Sequence, residues 1–134
     1  MTYSAAVQDH FEHPRHVGVL DAADPAVGTG VAGDLSQGAV IRLQIRVNDQ
    51  GLIADSRFKA YGCPATIAAG SLAADWVRGR MLEQALAMGN PQIAEALALP
   101  PLKIHCAVLA EEAVKVALAD WRRKQGVADG TVTY

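Results

Sequence analysis

Two thiols and one imidazole carry most of the chemistry available to this sequence. His105 and Cys106 stand side by side at the end of Leu99-Pro100-Pro101-Leu102-Lys103-Ile104-His105-Cys106, just ahead of an amphipathic run. The other thiol, Cys63, sits in Tyr61-Gly62-Cys63-Pro64, again just ahead of a helix-like run. A thiol at a helix N-terminus meets unpaired backbone N–H groups and the positive end of the helix dipole, which favours thiolate. Thiolate is the form that ligates soft metals or attacks sulfur. Two thiolates and an imidazole suit zinc or iron–sulfur ligation. The same residues also suit two small buried cysteines and a capping histidine. A nucleophilic Cys106 beside His105 is a third reading, but sequence neighbours do not generally meet in catalytic geometry. His10, His13 and His16 recur every three residues. Pro14 interrupts any shared helical face, so they read as solvated histidines at a helix end.

The elements that must position these groups follow from periodicity. Tyr3 to Glu12 fits a short helix that stops before Pro14. Gly18 to Gly38 reads as loop, with a short strand near Gly30 to Gly33. Val40 to Asn48 alternates, with Ile41, Leu43, Ile45 and Val47 on one face and Arg42, Gln44 and Arg46 on a solvated one. Asp49-Gln50-Gly51 is a turn. Leu52 to Tyr61 alternates again, with Ala54, Phe58 and Ala60 opposite Asp55, Arg57 and Lys59. The two runs predict a β-hairpin, and the basic residues on its outer face could meet an acidic partner. After Cys63 the period becomes helical up to about Gly79, with Trp76 and Trp121 as packing anchors. Met81–Met88 and Pro91–Leu97 read as short helices, and Pro100-Pro101 imposes an extended segment. From Cys106 the stripe Leu109, Ala113, Val116, Ala117 and Trp121 predicts a long helix that Gly126 ends. Strands first and helices later imply an α+β fold: a small antiparallel sheet of about three strands with helices packed on one face. Residues 1–126 form a single domain in this reading, and residues 127–134 a loose tail.

Composition narrows the function classes. The chain has 134 residues, 51% hydrophobic and 19% charged, which fits one folded domain with a real core. A net charge of −2 provides no basic field for nucleic acid. The first ten residues include Gln8, Asp9 and His10 and no apolar stretch, so no secretory leader is expected. No run approaches the ~18 apolar residues of a membrane span. Two cysteines are too few for a disulfide scaffold, and a reducing cytoplasm is the expected setting.

Several motifs in this order resemble the iron–sulfur cluster assembly scaffolds of the IscU type, related to the N-terminal domain of NifU. The resemblance runs from Tyr3 to about Lys124. It is carried by Tyr3-Ser4 with Asp9-His10, Pro14-Arg15-His16-Val17-Gly18, Val47-Asn48-Asp49 with Gly51, and Arg57-Phe58-Lys59 leading to Tyr61-Gly62-Cys63. Its strongest part is Leu99-Pro100-Pro101 with Lys103-Ile104-His105-Cys106 and Leu109-Ala110-Glu111. The resemblance implies a non-enzymatic scaffold that takes sulfur from a cysteine desulfurase and iron from a donor. It builds a [2Fe–2S] cluster and passes it to apo iron–sulfur acceptors with an Hsp70-type chaperone and its J-protein. It further implies that the chaperone recognises Leu99, Pro100, Pro101, Leu102 and Lys103, and that Cys63, His105 and Cys106 are cluster or metal ligands. The family's first cysteine and its aspartate fall on Gln37 and Ala39, so one thiol and one carboxylate are missing. A fourth donor would come from Asp34, water, a small thiol or a second chain in a homodimer, and purified protein would take zinc on the same donors. The alternative is a non-catalytic paralogue that binds and regulates the desulfurase or the chaperone.

Overall fold

The computed structural model describes residues 3–34, 36 and 38–128, apart from the side chains at 34, 127 and 128. Strands β1 (Val27–Asp34), β2 (Ala39–Val47) and β3 (Ile53–Tyr61) form one antiparallel sheet in the order β1-β2-β3. Helix α1 (Ala5–Glu12) precedes the sheet. Helices α2 (Pro64–Val77), α3 (Leu82–Leu86), α4 (Asn90–Leu97) and α5 (Ile104–Ala128) follow it, with a single 3-10 turn at Pro101–Lys103. This is the expected α+β arrangement. Among the described residues no helix is long and apolar enough to cross a membrane.

The core lies between the inner face of the sheet and helices α2 and α5. Ile41, Leu43 and Ile45 of β2 and Phe58 of β3 are buried there, together with a run of alanines from both helices. Small residues let α5 come unusually close to the sheet. A Cβ on Gly30 would stand 2.2 Å from the carbonyl oxygen of Ala113, and one on Gly28 the same distance from that of Ala117. The glycines of β1 therefore face the helix backbone itself. They also explain why β1 is longer than the short strand its composition suggests: its inward positions, Gly28, Gly30 and Ala32, carry almost no side chain for the alternation to register.

Other expectations need correction. Gln44 is buried, not solvated, because the segment before β1 folds over the outer face of the sheet. Its amide accepts from the Leu20 N–H at 2.8 Å and donates to the Leu20 carbonyl and the Thr29 hydroxyl. Arg46 and Arg57 on that face are tied to Asp24 and Asp55, each at 2.6 Å. Ala54 faces solvent and Ile53 the core, since the register shifts where Arg46 pairs Asp55 and Val47 pairs Ile53. That leaves Ala54 as the extra residue of a bulge. Val116 is exposed, and the buried face of α5 is formed by Cys106, Ala107, Ala110, Ala113, Val114, Ala117 and Leu118. The helix passes through Gly126 to Ala128 rather than ending at Gly126. Pro100 is extended as expected, but Pro101 opens the 3-10 turn that leads into α5. His10 and His16 are not simply solvated. Helix α1 lies along α2, which brings His10 Nδ1 to 2.8 Å from Ser71 Oγ and His16 Nε2 to 3.0 Å from Asp75. His13 is exposed, as expected.

Candidate functional site

The end of β3 and the starts of α2 and α5 meet at one edge of the molecule, and the two thiols are placed there by local chain geometry. Tyr61 closes β3 in register with Val40. Gly62 turns the chain at φ +145°, and a Cβ on it would lie 3.0 Å from both the Gly38 carbonyl and the Thr66 hydroxyl. Glycine is thus required where the segment leading into β2 crosses the start of α2. Cys63 is the N-cap of α2 and Pro64 follows at its first position, where no N–H is needed. On the other side, the 3-10 turn delivers Lys103, and the first turn of α5 delivers His105 and Cys106. His105 and Cys106 are therefore inside the helix rather than just ahead of it.

The two sulfurs share one neighbour. Thr66 Oγ1 is 3.5 Å from Cys63 Sγ and 3.4 Å from Cys106 Sγ, which bounds the sulfur–sulfur separation below about 7 Å. His105 Nε2 stands 3.6 Å from Cys106 Sγ, and Lys103 Nζ the same distance from Cys63 Sγ. Cys106 and Thr66 are fully buried, Cys63 is half-buried and His105 is exposed. The structure thus brings Cys63, His105 and Cys106 to one place. It does not arrange them as a ready cage: among the described residues, no three His, Cys, Asp or Glu side chains form a group that could hold a metal ion. The immediate neighbours of the sulfurs are instead the Thr66 hydroxyl beside both and the Lys103 ammonium beside Cys63. Asp34 ends β1 opposite Ala39. Its side chain, and Gln37, lie outside the described residues.

Electrostatics separate the two thiols. Burial works against a Cys63 thiolate, but the Thr66 hydroxyl, the N–H groups of Thr66 and Ala65, and the Lys103 charge outweigh it and bring the thiol down to about 7. No capping hydrogen bond closes on the Cys63 side chain, so the N–H groups act as facing dipoles. Burial pushes the Cys106 thiol up, against the hydrogen bond from Thr66. Cys63 and then Tyr3 hold Lys103 above its ordinary value. Burial, then Cys63, raises the Tyr3 phenol. Thr66 and Tyr3 are the members of this cluster that residue-type reasoning misses. The available signal for Thr66 is a hydroxyl three residues after a helix-capping cysteine. The segment Leu99–Lys103 is anchored by buried Leu99, while Pro101 and Leu102 are exposed, Leu102 by 77%.

The NifU-like N terminal domain model matches residues 2–128. The scaffold protein IscU of Azotobacter vinelandii is 58% identical over 127 residues, covering 95% of this chain and 99% of that protein. The scaffold protein IscU of Escherichia coli K12 is 52% identical over 125 residues, covering 93% and 98%. Among solved structures, a protein of Fervidobacterium islandicum assigned to the SUF system as an assembly scaffold superposes with a TM-score of 0.64 at 17% identity. It covers 87% of this chain and 96% of its own, a likeness of fold.

Proposed function

Because the chain belongs to the NifU-like N-terminal domain family, we propose that it is an iron–sulfur cluster assembly scaffold that holds iron or a nascent cluster as cargo at Cys63, His105 and Cys106. The convergence of two thiols and an imidazole, drawn from the starts of two helices onto one edge, carries this reading. Cluster irons take thiolate and imidazole donors, and these side chains offer both. A cage that is not preformed suits cargo that must be loaded and released. On this reading Thr66 and Lys103 occupy the sulfurs until iron arrives. The cargo is a [2Fe–2S] cluster, with a fourth donor from Asp34, water, a small thiol or a second chain. Zinc takes the same donors in purified protein.

The partners follow from the same reading. Sulfur comes from a cysteine desulfurase. An Hsp70-type chaperone with its J-protein engages Leu99–Lys103, where Pro101 and Leu102 are exposed. Apo iron–sulfur proteins in the cytoplasm receive the cluster. The protein carries rather than catalyses.

Anaerobic reconstitution with ferrous iron and sulfide tests this. Visible absorbance that survives desalting, with matching iron and acid-labile sulfide, is the expected result, and Cys63→Ser or Cys106→Ser should each lose most of it. No retained cluster in the parent protein would overturn the proposal. It would favour a non-catalytic paralogue that binds the desulfurase or the chaperone.

A further inference from the structure

Ser4 stands at the start of α1 and reaches the far end of α4, 93 residues along the chain. Its hydroxyl makes two bonds at once. As the N-cap of α1 it accepts from the Val7 N–H at 3.1 Å, and it donates to the Leu97 carbonyl at 2.5 Å. One hydrogen and two lone pairs are what the pair of bonds requires. The carbonyl it meets is one that α4 leaves over. The N–H groups of Ala98 and Leu99 turn back to the carbonyls of Glu95 and Ala94, but the last carbonyls of a helix have no partner inside it. Leu97 is buried, and a buried carbonyl needs a donor. The next residue, Ala98, holds the left-handed conformation at φ +49°, which favours glycine. The chain thus leaves α4 for Leu99-Pro100-Pro101 through a strained residue, and the residue before it is held by a bond from another helix.

We infer that Ser4 is a positioning residue that couples the docking of α1 to the placement of Leu99–Lys103. The functional meaning of that segment rests on the scaffold reading above, in which a chaperone engages it. Helix α1 has eight residues, too few to persist alone in water, so it keeps its form by seating Val7 in the core. When α1 lifts away, Ser4 leaves with it and the Leu97 carbonyl loses its donor. The left-handed turn at Ala98 then has less to hold it, and the buried Leu99 leaves the core more readily. Coupling is reciprocal, so a partner that draws out Leu99–Lys103 also loosens α1. Presentation of the exposed Pro101 and Leu102 is in this way tied to a helix at the other end of the chain.

Amide hydrogen exchange in the free protein reads the coupling without any partner. Ser4→Asp keeps the cap, since a carboxylate accepts from the Val7 N–H, but it has no hydrogen to give Leu97. Ser4→Thr keeps both bonds. In Ser4→Asp the amides of Ala98 and Leu99 should exchange about fivefold faster than in the parent, the scale of one lost hydrogen bond. Those of Leu43 and Ile45 in β2 should stay within about twofold, as should all of these amides in Ser4→Thr. A residue that only caps α1 would leave Ala98 and Leu99 unmoved in Ser4→Asp, and that result would overturn the inference. Val7→Ala unseats α1 without touching Leu97 and should speed exchange at the same two amides; faster exchange confined to α1 would count against the coupling. If Ser4→Asp does not fold by circular dichroism, Val7→Ala decides alone. Fluorescence anisotropy with an Hsp70-type chaperone separates this inference from the reading beneath it. Ser4→Asp should bind about fivefold more tightly than the parent, because less of the binding energy goes into freeing the segment. Equal affinity for the two proteins removes the inference and leaves the chaperone reading standing. No binding to either protein or to a peptide of residues 97–105 removes the chaperone reading, and the exchange rates then decide the coupling.

Discussion

Cys63 and Cys106 lie on either side of one hydroxyl, and their surroundings push their acidities in opposite directions. Cys63, brought down to about 7, should be alkylated by iodoacetamide in the metal-free protein with a half-maximal rate near pH 7. Cys106, buried and pushed up, should be alkylated far more slowly than Cys63 in the metal-free fold. Lys103→Ala should move the Cys63 midpoint upward, since it removes a positive charge 3.6 Å from the sulfur. A thiol depressed in the folded state stabilises the fold above the ordinary thiol value, and that contribution is lost as pH falls through about 7. Stability of the parent but not of Cys63→Ser should therefore fall across that window in urea titrations; equal slopes for both would refute the link. At this scale the sequence was informative about which residues matter, since helix-start thiols have a recognisable setting. It was silent on Thr66, whose role arises only when α5 is folded against α2.

Helix α5 is held to the sheet by missing side chains. A Cβ on Gly30 would stand 2.2 Å from the Ala113 carbonyl oxygen and 2.4 Å from the Ala117 nitrogen, atoms of helix backbone that cannot rotate aside. Gly30→Ala should cost about 3 kcal/mol or more of stability in denaturant unfolding, at the upper end of overpacking. It should also weaken cluster retention, because α5 carries His105 and Cys106. A second tie joins α4 to α5. The Glu111 carboxylate accepts from the Asn90 N–H and side-chain amide at the start of α4, and pairs with Lys115. Lys115 first, then Asn90, holds that carboxyl below its ordinary value. Glu111→Ala should cost about 1–2 kcal/mol, the scale of a lost helix cap, with the thiol chemistry of Cys63 unchanged. A measured loss below a few tenths would show that water replaces the tie. The hairpin, α2 and α5 are legible as elements because their apolar positions keep a period of two or 3.6. The bulge at Ala54 and the burial of Gln44 are not, since one depends on strand register and the other on a loop that returns from elsewhere in the chain. The early start of α5 was hidden by Pro100-Pro101, where the second proline can open a helical turn as readily as prolong an extended segment.

For the whole molecule, the decisive quantity is donors per chain. Cys63 and Cys106 are the chain's two cysteines, and the resemblance read from the sequence implies that the family's first cysteine and its aspartate fall on Gln37 and Ala39. A [2Fe–2S] cluster takes four protein donors. One chain offers His105 as a third, but that imidazole is exposed and lies beside Cys106 rather than opposite it. Two chains offer four thiolates, the half-buried Cys63 of each at an edge that a second copy can face and the buried Cys106 on the other side of Thr66. Reconstituted protein should therefore hold one cluster per two chains, and light scattering should show a dimer that reverts to monomer when the cluster is chelated away. Gln37→Cys adds the missing thiol and should raise the loading toward one cluster per chain while the dimer fraction falls. A parent that remains monomeric with one cluster per chain would refute bridging, and would direct attention to Asp34 or an added small thiol as the fourth donor. Reconstitution with and without glutathione separates those two, because only the small-thiol route depends on glutathione. A folded Gln37→Cys that gains no cluster would mean that the site lacks more than a ligand. The missing part would then be the geometry around Thr66 and Lys103, where the structure places a hydroxyl and an ammonium group against the sulfurs that the cluster needs.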